Sequence, residues 1–391
     1  PDVPVFTGCF DEGVFSLATH LVVSPGISMQ EPVIQQALAR GVIALSDIDL
    51  IACSVNKPIV AITGSNGKST VTTLLGEMAK ADGVRVAVGG NLGVPALNLI
   101  ADDVELYVLE LSSFQLERTT QLNATVATVL NISEDHLDRY TGMQDYIEQK
   151  HKVYSGDGVM VINVDDPDVS KMQNSARELI TFGLDKPADY HIKQSEQGAY
   201  LAFKEHKILP INELAILGKH NQSNALAALA LGKVIGLSER AMCHALKRYK
   251  GLKHRMQFIA DINGVRWVND SKATNTGACI AALQGFDEKN IILIAGGDAK
   301  GAHMAELLPS INGKVKALVL IGKDAELIKQ AVNESVPVID VGTLKKAVKQ
   351  AKKIAQAGDI VLLSPACASL DQFESYKARG KCFIAEVEAL L

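Results

Sequence analysis

Apolar residues fall along this chain in two alternating rhythms, and the alternation itself predicts the architecture. The β-branched run Pro58-Ile59-Val60-Ala61-Ile62 reads as a strand, and Val71, Leu74, Leu75 and Met78 just beyond it repeat at helical spacing. Runs at Val84–Val88, Leu106–Leu111 and Ala124–Leu130 continue the series as strands of the buried type, separated by helical stretches. That is the pattern of a parallel sheet covered on both faces. Strands and hairpin-like pieces follow near Val159–Val164, Leu179–Phe182 and Tyr200–Lys207. An alanine-leucine helix over Ala225–Leu231 comes next, with Asn221 as its natural N-cap, and a second helix ends near Tyr249. Gly251-Leu252-Lys253-His254-Arg255 reads as a linker. Beyond it, strands at Ile291–Ala295, Ala317–Ile321, Val338–Ile339 and Ile360–Leu363 alternate with helices, as in a doubly wound domain. The first residues hold a strand at Leu21-Val22-Val23, the turn Ser24-Pro25-Gly26 and a helix from Val33 to Ala39, too little for a whole domain. The expected fold class is therefore α/β, in units covering 1–56, 57–251 and 252–391. The lysines from Lys345 to Lys353 share a stretch with Leu344, Val348, Ala351 and Ile354, so they read as the solvated face of a helix rather than an anion site.

Composition narrows the function classes. The 391 residues are 47% hydrophobic and 21% charged, and no apolar run approaches the ~18 residues that span a bilayer. A net charge of −5 with mixed signs argues against a nucleic-acid partner. No secretory signal pattern opens the chain, although it begins Pro1-Asp2-Val3 without methionine, so its true N-terminus is expected upstream. The six cysteines are widely spaced, without metal-ligand spacing, and read as reduced thiols in the cytoplasm.

The chemistry starts where the first strong strand ends. Gly64-Ser65-Asn66-Gly67-Lys68-Ser69-Thr70 carries two glycines and a GKST run at a strand-to-helix junction. Helix-start N–H groups, a mobile lysine charge and a hydroxyl for magnesium make such a loop a polyphosphate grip. The usual spacing would place a glycine at position 62, where this chain has Ile62, so the loop is a shortened variant.

Polar residues just past other strand ends would converge on it, since open parallel sheets collect ligands there. These are Asn91, Glu110, and Asp135 with His136. Glu110 suits a magnesium ligand, or an acid stabilised at a helix start. His136 is either a second metal ligand or a histidine hydrogen-bonded into its turn. In the last unit, Asp270, Lys272 and Thr274 alternate and would face one side of an extended segment. Gly296–Gly301, with Lys300, follows the next strand, and Leu363–Phe373 follows the last, with a helix start near Ser369 suited to a carboxylate. Together they form an anion-binding rim facing the nucleotide loop.

These motifs resemble the Mur ligases. The resemblance rests on Gly64–Thr70, Glu110–Leu116, Glu134–Tyr140, His220-Asn221 with Asn224, His254-Arg255, Asn269–Thr274 and Leu363–Phe373, in order from about Leu21 to the end. It also accounts for the shortened loop, which is the family's own form. It implies three α/β domains: a Rossmann-like unit for a UDP-sugar substrate, of which 1–56 is a remnant, a central P-loop sheet for ATP, and a C-terminal Rossmann-like domain for the incoming amino acid. It implies ATP-driven amide synthesis through an acyl phosphate, with ATP and Mg2+ as cofactors. The closest likeness is to the branch that joins D-glutamate to UDP-N-acetylmuramoyl-L-alanine, as a monomer.

By the resemblance, Lys68, Glu110, His136, Lys150 and Arg255 would be catalytic. Ser69 and Glu110 would hold one magnesium ion and His136 a second, with Lys150 as a further metal ligand. Asn91 and Arg255 would lie near the reacting phosphates, Asn221 and Asn224 near the adenine, and Asp270 and Lys272 between ATP and the amino-acid domain. Lys150 matches a lysine that family members carbamylate, with a plain surface lysine as the other reading. Ser24 and Gly26 would belong to the UDP site, and Asp135, Thr274, Lys300, Ser369 and Leu370 to the D-glutamate site. Tyr376 stands where the family pattern has phenylalanine. A folylpolyglutamate synthetase-like ligase and a nucleotide-binding switch are the competing readings; the Leu363–Phe373 segment and Lys150 weigh against them.

Overall fold

A computed structural model describes residues 4–135, 139–216, 218–286, 290–332 and 335–391. Strands β1 (His20–Val22) and β2 (Ile43–Leu45) pair in parallel, joined by the helix Pro32–Ala39, whose Val33 and Ile34 form a small core with Val23. The next helix, Asp47–Ser54, opens on a capping box in which Ser46 and Asp49 satisfy each other's backbone N–H groups. It sends Ile48 and Ile51 beneath the central sheet.

The central sheet holds β3 (Ile59–Thr63), β4 (Val86–Gly90), β5 (Leu106–Glu110), β6 (Val126–Val129), β7 (Val159–Asn163), β8 (Leu179–Phe182), β9 (Tyr190–Ser195), β10 (Gly198–Phe203) and β11 (His206–Pro210) in the order β11-β10-β9-β8-β7-β6-β3-β5-β4. Pairing is parallel from β4 across to β9 and antiparallel beyond. Helices Lys68–Ala81 and Lys219–Val234 cover one face, burying Val71, Leu74, Leu75 and Leu226 against Val60 and Val108. The piece expected over Tyr200–Lys207 is two strands, because the chain turns at Lys204, whose φ is +49°.

The last sheet runs β12 (Gln257–Ile262), β13 (Val265–Asn269), β17 (Ile360–Leu363), β14 (Ile291–Gly296), β15 (Val315–Ile321), β16 (Val338–Gly342), parallel except for β12. Apolar cores lie on both of its faces. The helix Leu344–Ile354 buries Leu344, Ala347, Val348 and Ala351 and leaves Lys345, Lys346, Lys349, Lys352 and Lys353 exposed, the solvated face the pattern predicts.

Three local expectations are corrected. Asn221 is not an N-cap: the helix starts at Lys219 on Gly218, whose carbonyl accepts from Asn221 N and whose positive φ suits glycine. No helix starts near Ser369. Ala366 has φ +60° and Ala368 exchanges backbone bonds with Asp298, so the segment is tied across to β14's loop and the helix waits until Tyr376–Glu388. Asp270–Thr274 is a turn rather than an extended run, closed by Ala273 N on Asp270 O and Thr274 N on Lys272 O, so its side chains diverge.

Candidate functional site

The loop after β3 is held in shape before any ligand arrives. Ser65 N donates to Asn131 O at 2.9 Å and Asn66 N to Asn131 Oδ1 at 2.7 Å, while Lys68 Nζ donates to the Gly64 and Ser65 carbonyls at 2.7 and 2.8 Å. Gly67 has φ +83°, and a Cβ there would come within 2.4 Å of Asn224 Oδ1. The glycine thus lets the helix Lys219–Val234 close on the loop.

Glu110 ends β5 beside that loop and is 2% exposed. Asn91 Nδ2 donates to its Oε1 at 2.8 Å, and its Oε2 is buried with no hydrogen-bond partner among the described residues. Burial alone would raise this carboxyl, but the charges of Lys68 and Lys272, together with the Ser69 hydroxyl and the Asn91 amide, outweigh it and hold the group below the usual carboxylate range. Lys272 Nζ, from the far side of the cleft, donates to Ser69 Oγ. A cationic group already sits on the hydroxyl beside an acid with a free oxygen, and this oxygen donor set fits a hard divalent cation.

Lys150 is 1% exposed on the helix Met143–His151, so the surface-lysine reading is excluded. Its Nζ donates to Gly64 O at 2.9 Å and lies 4.6 Å from the Tyr146 ring centroid. Burial, then the Lys68 charge, drive it well below the usual lysine value. Burial likewise lowers Lys68 and brings Lys272 down to about 7. Lys68, Lys150, Lys272 and Arg255 thus crowd around Glu110 and Asp135, an excess of positive charge suited to a polyphosphate.

Between the central and last sheets lies a cavity of about 1150 Å³ lined by Asn66, Gly67, Thr70, Asn221, Asn224, Arg255 and Asp270, with Phe258 and His220. Asn224 Nδ2 donates to Asn221 Oδ1 at 3.2 Å. Asp270 turns inward from its strand end, accepting from Ser364 Oγ at 2.9 Å and Met256 N at 3.2 Å, and burial pushes it up to about 6. Contacts cross at the rim as well. Lys300 Nζ meets Asp135 Oδ1 at 2.7 Å, and Asn275 Nδ2 donates to Asp135 Oδ2 at 3.1 Å. Thr274 lines the small recess beside them. Ser369 is buried and Leu370 is 71% exposed. Ser24 and Gly26 sit exposed on the N-terminal turn, outside the cavity lining. His136 lies outside the described residues.

Two side chains here carry no motif. Tyr146 OH meets Ser65 Oγ at 3.0 Å, backing the loop. Arg379, 1% exposed, donates to Ser271 Oγ and O and to Cys367 O at 3.0, 2.9 and 3.1 Å, tying two rim loops together. The only sequence signal for Arg379 was a charge on a helix whose neighbours Gly380 and Phe383 face the core.

Family models match three consecutive parts of the chain: a Mur ligase MurD-like N-terminal domain over residues 1–46, a Mur ligase middle domain over 62–232 and a Mur ligase glutamate ligase domain over 254–367. The UDP-N-acetylmuramoylalanine--D-glutamate ligase of Methylococcus capsulatus is 52% identical over 392 residues, covering 100% of this chain and 85% of that protein. The protein of the same name from Pseudomonas fluorescens is 51% identical, covering 100% and 88%. Among solved structures, a pseudomurein peptide ligase type C from Methanothermus fervidus superposes with a TM-score of 0.71 at 18% identity, covering 98% of this chain and 89% of its own. With matches to all three parts and half its residues identical to those relatives, the chain belongs to the Mur ligase family.

Proposed function

We propose that this chain is the ATP-dependent ligase that adds D-glutamate to UDP-N-acetylmuramoyl-L-alanine in peptidoglycan precursor synthesis. The observation that carries the reading is the 52% identity, along the whole chain, to a ligase named for that reaction. The cleft supplies compatible chemistry. A carboxylate oxygen of the UDP-linked substrate attacks the γ-phosphorus of ATP and ADP leaves; the deprotonated amine of D-glutamate then attacks the acyl carbon, an amide forms and phosphate leaves. Such a phosphoryl transfer needs positioning and charge neutralisation more than covalent help.

Lys68, on the loop, and Arg255, on the opposite wall, are the residues we assign to the phosphates, with Asn91 orienting Glu110. Asn221 and Asn224 border the cavity where a nucleoside base would lie, and Asp270 and Lys272 approach it from the other domain. Asp135, Thr274, Lys300 and Ser369 gather at the rim we assign to D-glutamate, with Leu370 at its exposed edge. Ser24 and Gly26 are assigned to the uridine diphosphate. Ser69 and Glu110 would hold magnesium, with His136 assigned to a second ion and Lys150 as a further metal ligand, and the metal supplies positive charge to the phosphates when bound. Lys150 is depressed by burial toward the neutral amine, the form whose nitrogen bonds to the carbon of carbon dioxide, losing a proton to become an anionic carbamate.

The test is phosphate release by the full-length protein with ATP, magnesium, UDP-N-acetylmuramoyl-L-alanine and, in turn, D-glutamate, L-glutamate and L-lysine. Release with D-glutamate alone is expected. Release that needs no amino acid would overturn the reading.

A further inference from the structure

Among the described residues, the hydrogen bonds that fasten the N-terminal unit to the central sheet come from one short segment after β5. Gln115 Nε2 donates to Asp47 Oδ2 at 3.4 Å, Thr119 Oγ1 meets Ser46 Oγ at 3.1 Å, and the N–H groups of Thr120 and Gln121 both donate to Asp49 Oδ1 at 2.7 Å. All of these reach the helix Asp47–Ser54 or its cap. Arg118 does something different. Its Nη2 donates to the carbonyl of Ile27, the last residue of the turn that Ile27 N closes on Ser24 O at 3.0 Å. Its Nη1 donates to Phe114 O, at the start of its own segment.

Arg118 is 3% exposed, which makes it costly. Among the described residues the carboxylate oxygen paired with it, Glu117 Oε2, is 3.6 Å away and closer to Arg139, at 3.0 Å, and Arg118 Nε has no partner. A guanidinium buried mainly against carbonyls is poor value for stability alone, since an apolar side chain of similar length would fill the space without desolvating a charge. What it does provide is a rigid fork between two backbone points. One is the turn Ser24–Ile27, where Gly26 has open space around it; the other begins four residues after Glu110. Glu117 also pairs with Arg139, beside the loop that carries Asp135, and its carbonyl accepts from Lys152 at 2.8 Å.

We propose that Arg118 is a positioning residue for the UDP-linked substrate: it fixes the Ser24–Ile27 turn relative to Glu110, and so sets where the diphosphate end lies when the carboxylate end reaches the phosphates. This rests on the assignment of that turn to the uridine diphosphate.

The experiment uses the full-length protein with Arg118→Met, which keeps length and loses the fork, Arg118→Lys, which keeps charge and one donor direction, and Thr119→Val, which loosens the same attachment without touching the turn. Arg118→Met is expected to raise the KM for UDP-N-acetylmuramoyl-L-alanine about tenfold or more, the scale of one lost charged hydrogen bond, with kcat and the KM values for ATP and D-glutamate within twofold. Arg118→Lys should recover part of the loss, and Thr119→Val should leave that KM unchanged. Calorimetric titration with UDP alone, which needs no turnover, should show the same weakening. If Arg118→Met does not fold, the Lys variant carries the same comparison. An unchanged KM and UDP affinity in the Arg118 variants, a fall in kcat shared by all substrates, or a wild type that does not bind UDP would overturn the proposal. A wild type that binds UDP but lacks D-glutamate-dependent turnover would overturn the proposed function and leave the titration to judge Arg118.

Discussion

Lys150 shows how one residue's surroundings choose its chemistry. A lysine four residues after a tyrosine on a polar helix reads equally as surface or site; only the fold, by bringing it under the Gly64 carbonyl, decides. Lys150→Ala is expected to lose most turnover and to regain part of it with added short carboxylates, measured as phosphate release; full activity without rescue would remove the carbamate role. Lys68→Ala and Glu110→Ala are each expected to lower kcat by roughly a hundredfold or more, with the circular dichroism spectrum unchanged. Asp270 offers a test of burial itself. Its carboxyl is raised from 3.8 to about 6, so the stability it contributes is complete below pH 3.8 and is lost as pH rises through 6. Asp270→Asn cannot ionise, so its stability should gain on wild type between pH 5 and pH 7.5, by on the order of 1–3 kcal/mol in denaturant titrations, although activity falls.

At the scale of elements, the strand–loop–helix junction at Gly64–Thr70 and the strand end at Glu110 were legible because everything that defines them lies within a dozen residues. Gly64–Thr70 and Glu110 needed no distant partner to be recognised. The misread pieces were those where a distant partner decides. The helix expected near Ser369 gives way to backbone pairing between Ala368 and Asp298, some seventy residues apart in sequence. Asn221 looked like a cap because the Gly218 carbonyl that starts the helix leaves no side-chain signature. Arg118 and Arg379 were invisible because nothing in a lone arginine tells which carbonyls it will meet. Gly380 carries a related lesson about sign. Alanine in a helix normally gains up to about 1 kcal/mol over glycine, but a Cβ at Gly380 would stand 2.3 Å from His254 Nδ1, which meets Asn269 Nδ2 at 3.1 Å. Gly380→Ala is therefore expected to destabilise by on the order of 1–3 kcal/mol, read from thermal unfolding.

For the molecule as a whole, the arrangement joins parts through few polar contacts. Lys300 with Asp135, and Lys272 with Ser69, cross the cleft, and the linker beside them holds His254 and Met256 at φ +65° and +42°. Asp135→Asn removes an ion pair worth on the order of 1 kcal/mol, so the substrate-free protein should open. Its radius of gyration in small-angle scattering is expected to exceed wild type's, and ATP with D-glutamate should narrow the difference; identical profiles would show that closure does not depend on the pair. Domain rearrangement of this kind is common in enzymes that must exclude water. None of it was legible in the sequence, which places the linker and leaves the angle across it open.

The order of the last sheet reaches beyond the finished enzyme. β17 lies between β13 and β14, yet it is made about sixty residues after β14, so during translation the sheet exists as two separated halves with unpaired inner edges. Those edges are open to other chains until Ile360–Leu363 leaves the ribosome and zips them together. The central sheet can fold well before; the last sheet stays divided until β17 is made, which makes a stall between β14 and β17 the event this protein is least built to survive.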